Sequence, residues 1–393
     1  MNFKRLEDAK LKGKTALVRV DFNVPRNDKG DITDDTRIKS ALPTIKHLQS
    51  KGVKTVLLSH FGRPKGEPDP DLSLRFIVPA LAEAIGSEVM FCPQLNPNAA
   101  DLMKAGDVML LENTRFQAGE TKGDDETAKA FAEFGDVFIM DAFSAAHRDH
   151  ASSAGIAKHL PAFAGLAMER ELDHISQALD VPKKPVMGVV GGAKVSTKID
   201  LLKNLVGKLD RLVIGGGMAN TFLYAQGYDV GGSLCEKDLK DTALEIIKAA
   251  KKAKCEIILP VVVVAAEKFA ANAPSRVCGL DEVKSGEMIL DAGPETVAKI
   301  ADAMEASKTL IWNGPLGAFE ITPFDTSTVE AAKFAAKLTK SGKLIAVAGG
   351  GDTVSALNHA GASDDFTFIS TAGGAFLEWM EGKTLPGVEI LNA

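Results

Sequence analysis

The sequence predicts an α/β protein: two doubly wound, Rossmann-like parallel-sheet domains joined by an interdomain helix and hinge. Three observations lead there. The chain has 393 residues, too many for one typical domain core. Short runs rich in β-branched residues alternate with helical patterns along its whole length, the order expected of parallel strands covered by helices. Many of those runs are continuously apolar, as strands buried on both faces need to be.

In the first half the expected strands are Thr15–Asp21, Lys54–Ser59, Glu88–Phe91, Asp107–Leu111 and Asp136–Asp141. In the second half they are Val186–Val190, Arg211–Ile214, Glu256–Leu259, Thr309–Trp312, Leu344–Ala348 and Phe366–Ile369. Between the halves Gly165–Leu179 reads as a helix, with Leu166, Met168, Leu172, Ile175 and Leu179 apolar. The segment Val181-Pro182-Lys183-Lys184-Pro185 follows as a stiff, polar stop. The expected domains are 1–165 and 186–375, with 166–185 as interdomain helix and linker. No short-period repeat interrupts this pattern.

Composition narrows the function. Hydrophobic residues at 45% and charged residues at 25% fit a soluble globular protein. A net charge of −6 argues against a general nucleic-acid binder, while leaving room for a local basic cleft. Cys92, Cys235, Cys255 and Cys278 show no CxxC or zinc-type spacing, which predicts reduced thiols. The first residues, Met1 to Asp8, contain no apolar signal core. The longest apolar stretch, Ile257–Ala266, contains Pro260 and is far shorter than the roughly 20 residues of a membrane span. The expected location is the cytoplasm, away from membranes.

In doubly wound folds ligands bind at the carboxyl ends of the strands, so the residues after each strand carry the functional signal. In the first half they are cationic. Asp21, Phe22 and Asn23 end the first strand and Arg37 follows in the next loop; His60-Phe61-Gly62-Arg63 follows the second strand. Asn113-Thr114-Arg115 follows the fourth, and the fifth leads to Arg148. Four arginines and a histidine from separate loops point to a small polyanion, because guanidinium forks match phosphate and carboxylate oxygens.

In the second half the corresponding loops are rich in glycine: Gly191-Gly192-Ala193-Lys194, Gly215-Gly216-Gly217, Asn313-Gly314-Pro315-Leu316-Gly317, Gly349-Gly350-Gly351-Asp352-Thr353 and Gly373-Gly374. Glycine admits close approach of a ligand to the backbone, and helix N-termini offer N–H groups to phosphate; close helix–strand packing is the competing explanation. Five such loops on one edge predict a nucleotide cradle. Lys194 and Lys198 are expected four apart on one face of a helix that starts after Gly191-Gly192. Asp352 is either a helix cap or a ligand of nucleotide-bound Mg²⁺. Glu320 is either a ribose acceptor or a plain loop charge.

Other motifs carry less. No G-x-G-x-x-G follows a strand, which removes the main support for a dinucleotide dehydrogenase. Gly13-Lys14-Thr15 imitates a P-loop end, but Asp8 stands where glycine is needed and the triplet enters a strand. His147-Arg148-Asp149-His150 lacks a third metal ligand and reads as hydrogen-bonded loop histidines. A non-catalytic anion receptor that closes around its ligand would normally need an export signal.

The loops together resemble the phosphoglycerate kinase family. The resemblance lies in Val18-Arg19-Val20-Asp21-Phe22-Asn23-Val24-Pro25, His60-Phe61-Gly62-Arg63-Pro64 and Leu111-Glu112-Asn113-Thr114-Arg115-Phe116. It continues in Gly191–Ile199, Trp312–Glu320 and Gly349–Thr353, nearly end to end and in order. It implies reversible in-line phosphoryl transfer from 1,3-bisphosphoglycerate to ADP after hinge closure, giving 3-phosphoglycerate and ATP, in a cytoplasmic monomer. By the same resemblance Asp21, Phe22, Asn23, Arg37, His60, Phe61, Gly62, Arg63, Arg115 and Arg148 bind 3-phosphoglycerate. Lys194, Lys198, Glu320, Gly350, Gly351, Asp352 and Thr353 bind Mg-ATP or Mg-ADP, with Asp352 on the Mg²⁺. Arg37, Lys198, Gly350, Gly351, Gly373 and Gly374 stabilise the phosphoryl group in transit, and 376–393 packs back on the first domain.

Several positions depart from the family pattern: Ser144-Ala145 replaces Gly-Thr, Ala372 a glycine, Phe376 a serine and Ile289 a glycine beside the adenine pocket. The apolar run around Val264 also lacks an acidic residue often seen there. These departures bear on nucleotide affinity and local loop shape, not on reaction class.

Overall fold

The computed structural model describes residues 2–392. The chain divides into two units, one reaching to Asp173 and taking in the chain again from Thr384, the other spanning His174–Lys383.

Among the described residues, the first unit carries a six-stranded sheet. Its strands are β1 (Thr15–Arg19), β2 (Lys54–Leu58), β3 (Val89–Cys92), β4 (Val108–Leu111), β5 (Val137–Met140) and β6 (Ala162–Ala164), in the order β3-β4-β2-β1-β5-β6. All five pairings are parallel. The continuously apolar runs are buried through β4 and β5, as two covered faces require. Helix α1 (Thr36–Ser50) and α2 (Ile77–Ile85) cover one face, placing Ile38, Ile45, Leu48 and Leu81 against Val18, Leu57 and Ile139. Helix α3 (Asp125–Ala132) starts on an N-cap, Asp124, whose side chain accepts from Thr127 N at 2.9 Å. The short strand β6 was not expected from the sequence, because Ala-Phe-Ala between Pro161 and Gly165 is too brief to show a period.

Helix α4 (Leu166–Leu179) lies where a helix was expected between the halves, and the unit boundary falls within it, after Asp173. Asp141, at the end of β5, caps it by accepting from Ala167 N (2.9 Å) and Met168 N (3.2 Å).

The second unit also has a six-stranded parallel sheet among the described residues. It comprises β7 (Val186–Val190), β8 (Arg211–Ile214) and β9 (Glu256–Ile258), and further along the chain β13 (Thr309–Asn313), β14 (Ile345–Gly349) and β15 (Phe368–Ser370). Its order is β15-β14-β13-β7-β8-β9. The covering helices are α5 (Ile199–Leu205), α6 (Gly216–Ala225), α7 (Lys240–Ala253), α8 (Pro294–Glu305), α9 (Thr326–Lys340), α10 (Gly351–His359) and α11 (Gly374–Met380). Trp312 is fully buried in the core they enclose.

A second, antiparallel sheet of β10 (Val262–Ala266), β11 (Ser275–Gly279) and β12 (Met288–Ala292) has no counterpart in the sequence reading. The apolar run Ile257–Ala266 looks like one segment, but Pro260 divides it: β9 joins the parallel sheet and β10 the antiparallel one. The last segment also divides. Phe376 is buried in the second unit against Gly349, and Asn204 Nδ2 donates to Met380 O at 2.6 Å. From Thr384 the chain belongs to the first unit, where α12 (Pro386–Glu389) docks through Gly387 N to Ala146 O at 2.8 Å and Lys4 N donates to Leu391 O at 2.8 Å. The returning segment thus begins at Thr384 instead of Phe376.

Candidate active site

The first unit's candidates converge at the carboxyl ends of β1, β2, β4 and β5. Arg37 lies in the first turn of α1, not in a loop, and its guanidinium pairs with the Asp21 carboxylate. Ser144 Oγ donates to the same carboxylate at 2.5 Å, and Asn23 N donates to it at 3.0 Å. Burial pushes the Asp21 carboxyl up, but Arg37 and the Ser144 hydroxyl outweigh that and hold it well below its usual range. Asn23 Oδ1 in turn accepts from Gly62 N at 2.9 Å, tying the β1 and β2 loops together.

Two named candidates stand behind this surface. Phe22 and Phe61 are core side chains. The Phe22 N–H donates to Ser59 Oγ at 2.8 Å and its carbonyl accepts from Val24 N at 2.8 Å, so it braces the loop. Asn113, buried after β4, clamps Phe61 from both sides: its Oδ1 accepts from Phe61 N at 3.2 Å and its Nδ2 donates to Phe61 O at 2.7 Å. Its Oδ1 also accepts from Arg115 N at 3.1 Å, which aims the Arg115 side chain from the same pin. Arg115 donates to Gly62 O at 2.5 Å. Burial, and then Arg148 and Arg19 nearby, lower its pKa to about 10. Arg63 is exposed and Arg148 half-buried, its Nε donating to His147 Nε2 at 3.1 Å.

Sequence reasoning missed two members of this cluster. Arg19 is 1% exposed and points from β1 toward His60, with its guanidinium 3.0 Å from His60 Nδ1. A guanidinium only donates, so Nδ1 accepts and the His60 proton sits on Nε2. Burial, then the cationic Arg19, lower the His60 pKa well below its usual value, so the ring is neutral. The second is Glu120, fully buried after β4. His150 is also neutral, lowered to about 4 by burial and by Arg115, Arg148 and Arg19. Among the described residues no group of three or more His, Cys, Asp or Glu could hold a metal.

In the second unit the candidates gather around the point where the sheet order reverses, between β7 and β13. Here the glycines divide into two kinds. Gly191 and Gly314 face each other across that point: a Cβ on Gly191 would collide with Pro315 O, and one on Gly314 with Gly191 O. These serve close packing of loop on loop. Gly351 and Gly373 instead face open space, with nothing within 4 Å of an added Cβ. Gly350 forms the N-cap of α10 with φ 98°, and no side chain caps that helix. Asp352 is therefore not its cap; it is exposed in the first turn. Thr353 is buried, and its Oγ1 accepts from Gly314 N at 2.7 Å, latching two loops. Gly374 begins α11.

The expected helix through Lys194 and Lys198 is not formed. Lys194 is extended and exposed, Val195–Thr197 make one 3₁₀ turn, and α5 starts only at Ile199. Side-chain competition explains the delay: Ser196 bonds Glu236 through its N (3.0 Å) and Oγ (2.5 Å), and Thr197 Oγ1 bonds Lys194 O at 2.8 Å. Lys198 turns inward, donating to Gly191 O (2.6 Å) and Asn313 Oδ1 (2.7 Å). Burial lowers its pKa to about 8, with Asp352 nearby opposing the shift.

Beside these loops lies a cavity of about 420 Å³, lined by Ala219, Leu234, Phe269, Ile289, Leu316 and Glu320 among others. Its apolar wall suits a base, with Glu320 exposed and Asp352 also lining it. Ile289 lies in β12, beside a bulge in its pairing with β10, and its N accepts no role in the cavity because it donates to Ser233 Oγ at 2.8 Å. Ala372 is buried, with its N donating to Ser370 Oγ at 3.2 Å. Phe376 fills the space that Gly349 leaves open.

Cationic strand ends on one α/β unit, and glycine-built strand ends beside an apolar cavity on the other, define a nucleotide-dependent phosphotransferase of two doubly wound units. The family model for phosphoglycerate kinase matches residues 6–383. The phosphoglycerate kinase of Caulobacter vibrioides is 62% identical over 397 aligned positions, covering 100% of both chains. That of Zymomonas mobilis is 58% identical over 398 positions, again with both chains covered in full. The solved phosphoglycerate kinase of Coxiella burnetii superposes with a TM-score of 0.94 at 41% identity, covering 99% of this chain and 98% of that one. The chain belongs to the phosphoglycerate kinase family. It is a kinase that transfers a phosphoryl group between 1,3-bisphosphoglycerate and ADP.

Proposed function

We propose that the two halves of this reaction are divided between the two units. In this reading Asp21, Asn23, Arg37, His60, Arg63, Arg115 and Arg148 hold 3-phosphoglycerate. Phe22, Phe61 and Gly62 brace their loops. Lys198, Glu320, Gly350, Gly351, Asp352 and Thr353 hold ATP or ADP, with Lys194 at the exposed edge. The observation that carries the reading is the convergence of the ends of β1, β2 and β4 and the first turn of α1 on Asp21, Arg37, His60 and Arg115.

Mg²⁺ fits this arrangement as a companion of the nucleotide. A magnesium ion bound with a nucleotide needs one or two carboxylates beside phosphate oxygens, and Asp352 is a single exposed carboxylate in a helix first turn with no capping duty. When bound there it would neutralise phosphate charge. The protein's own groups do the rest. The acceptor carboxylate of 3-phosphoglycerate is ionised at neutral pH, so no general base is required. The obstacle is repulsion between anions. Arg37 and Lys198, with N–H groups at the starts of α10 and α11 (Gly350, Gly351, Gly373, Gly374), supply fixed positive charge where the phosphoryl group passes. Because the ligands belong to different units, in-line transfer follows hinge closure, which also keeps water from the acyl phosphate. A cytoplasmic monomer acting on small molecules completes the proposal; no described helix is long and apolar enough to cross a membrane.

Steady-state kinetics of Arg37→Ala test it. The expected outcome is a loss of kcat of about 10²–10³-fold with KM for ADP nearly unchanged. Near-normal turnover would remove Arg37 from the transfer step and the division of labour with it.

A further inference from the structure

The first unit concentrates Arg19, Arg115 and Arg148 around His60, with Arg63 near Arg115, and such a cluster repels itself when no ligand is present. Asp21 answers Arg37 at the front. At the back stands Glu120, which is 0% exposed. Both of its carboxylate oxygens are engaged by one residue: Ser152 Oγ donates to Oε1 at 2.5 Å and Ser152 N to Oε2 at 2.9 Å. Ser152 Oγ also accepts from Arg19 Nε at 3.0 Å. Arg19 then reaches His60 Nδ1 at 3.0 Å. The Glu120 main chain is fixed as well, its carbonyl accepting from Ala151 N at 2.9 Å. An unbroken hydrogen-bonded path therefore runs from a buried carboxylate through Ser152 and Arg19 to the ring nitrogen that decides the His60 tautomer.

We infer that Glu120 is a positioning residue for the substrate anion: it is the resident counter-charge of the arginine cluster and, through Ser152 and Arg19, it holds His60 with its Nε2–H free to donate. The inference deepens the proposed substrate site and rests on it. A buried guanidinium without a counter-charge is costly, and the negative field of Glu120 favours the charged forms of both Arg19 and Arg115. Its neighbours fit one purpose. His150 Nδ1 lies 3.9 Å away, but that ring is neutral and does not compete for the carboxylate. Glu120 thus compensates the cluster without occupying the front, where the substrate's own negative charge is to bind.

The two functions of Glu120 separate by experiment. In Glu120→Gln the shape is kept and the counter-charge removed. The cluster becomes more cationic, so calorimetry with inorganic phosphate should show binding tightened several-fold, while kcat/KM for 3-phosphoglycerate falls roughly ten-fold as the His60 tautomer is released. Ser152→Ala keeps both charges but cuts the path: phosphate affinity should stay as in the parent while kcat/KM falls. ¹⁵N chemical shifts of His60 should show the Nε2–H form in the parent and a mixture of tautomers in both variants. A purely structural role would weaken phosphate binding and catalysis together and leave the His60 tautomer unchanged; that result, or no change in either variant, overturns the inference. If the Gln variant is too unstable, Ser152→Ala and the His60 spectrum decide alone. Arg115→Ala provides the separate control, because phosphate and 3-phosphoglycerate binding that survives it would remove the substrate site itself, not Glu120's part in it.

Discussion

In the proposed reading the two units solve the same problem, holding phosphate oxygens at the ends of parallel strands, with different materials. The first uses side chains. Three of its cations are aimed by hydrogen-bonded partners: Asp21 for Arg37, Gly62 O for Arg115, Ser152 for Arg19. The second uses backbone, with glycines packed loop on loop at Gly191 and Gly314 and helix starts open at Gly351 and Gly373. Each unit pins its loops with one buried asparagine at a strand end. Asn113 joins the loops after β2 and β4; Asn313 bonds Gly349 O at 2.7 Å and receives Lys198. Charged side chains need internal counter-charges and so bring carboxylates with them. Backbone N–H groups do not, which leaves the second unit free to present an apolar cavity beside its glycine-built strand ends.

That contrast predicts where each unit breaks. The largest effect is expected from adding one methyl group to the second. Gly314→Ala meets Gly191 O from a backbone with φ 101° and should cost more than about 4 kcal/mol, read as loss of the folded state in thermal unfolding. Gly351→Ala has nothing within 4 Å and should keep stability within about 0.5 kcal/mol while raising KM for ADP. Equal stability losses in the two would erase the distinction between packing glycines and ligand-facing ones.

Lys198 comes next, because it is the second unit's one proposed catalytic side chain. Lys198→Met should lower kcat about 10²-fold or more. Its pKa is lowered to about 8, so its ammonium is complete below that pH and lost above it; kcat/KM for ADP should fall as pH rises through about 8, and Lys198→Met should abolish that limb. The stability sign is opposite. Between about pH 8 and the ordinary lysine value the unfolded chain holds the extra proton, so this group's contribution to stability rises with pH while activity falls.

In the first unit Asn113→Ala should cost about 2–3 kcal/mol, since it leaves the Phe61 N–H and carbonyl without their partner, and should raise KM for 3-phosphoglycerate with little change for ADP. The smallest effect belongs to Asp141→Asn. Burial raises the Asp141 carboxyl to about 7. Between about pH 4 and 7 the folded protein holds a proton that the unfolded chain has released, so this group's stabilisation declines as pH rises across that window. The variant should match the parent near pH 4 and exceed it by a few degrees in Tm at pH 8.

How much of this was legible depended on where the information sat. Alternating apolar runs report burial on both faces, so the strands of both parallel sheets except β6 were readable. So were the cationic and glycine-rich strand ends, because arginines and glycine clusters after strands are local signals. What stayed hidden was set by tertiary partners. Pro260 breaks a run whose two halves join different sheets, and nothing in ten apolar residues states which. The helix expected through Lys194 and Lys198 failed because Glu236, 40 residues away, captures Ser196. Glu120 looks like any loop glutamate until the fold surrounds it with arginines. The glycines all read alike in the sequence, and only the fold separates Gly314, packed against Gly191, from Gly351, which has nothing within 4 Å of an added Cβ.

The central claim is that the polyanion belongs to the first unit's side chains and the nucleotide to the second unit's cavity. Calorimetry on two variants tests it most directly. Arg115→Ala removes a guanidinium from the first, and Ala193→Phe obstructs the second from an exposed lining position. Arg115→Ala should weaken 3-phosphoglycerate binding at least ten-fold, by the usual worth of a charged hydrogen bond, and leave ADP binding unchanged; Ala193→Phe should do the reverse. Parallel loss of both ligands in either variant, or loss of the wrong one, would contradict the account.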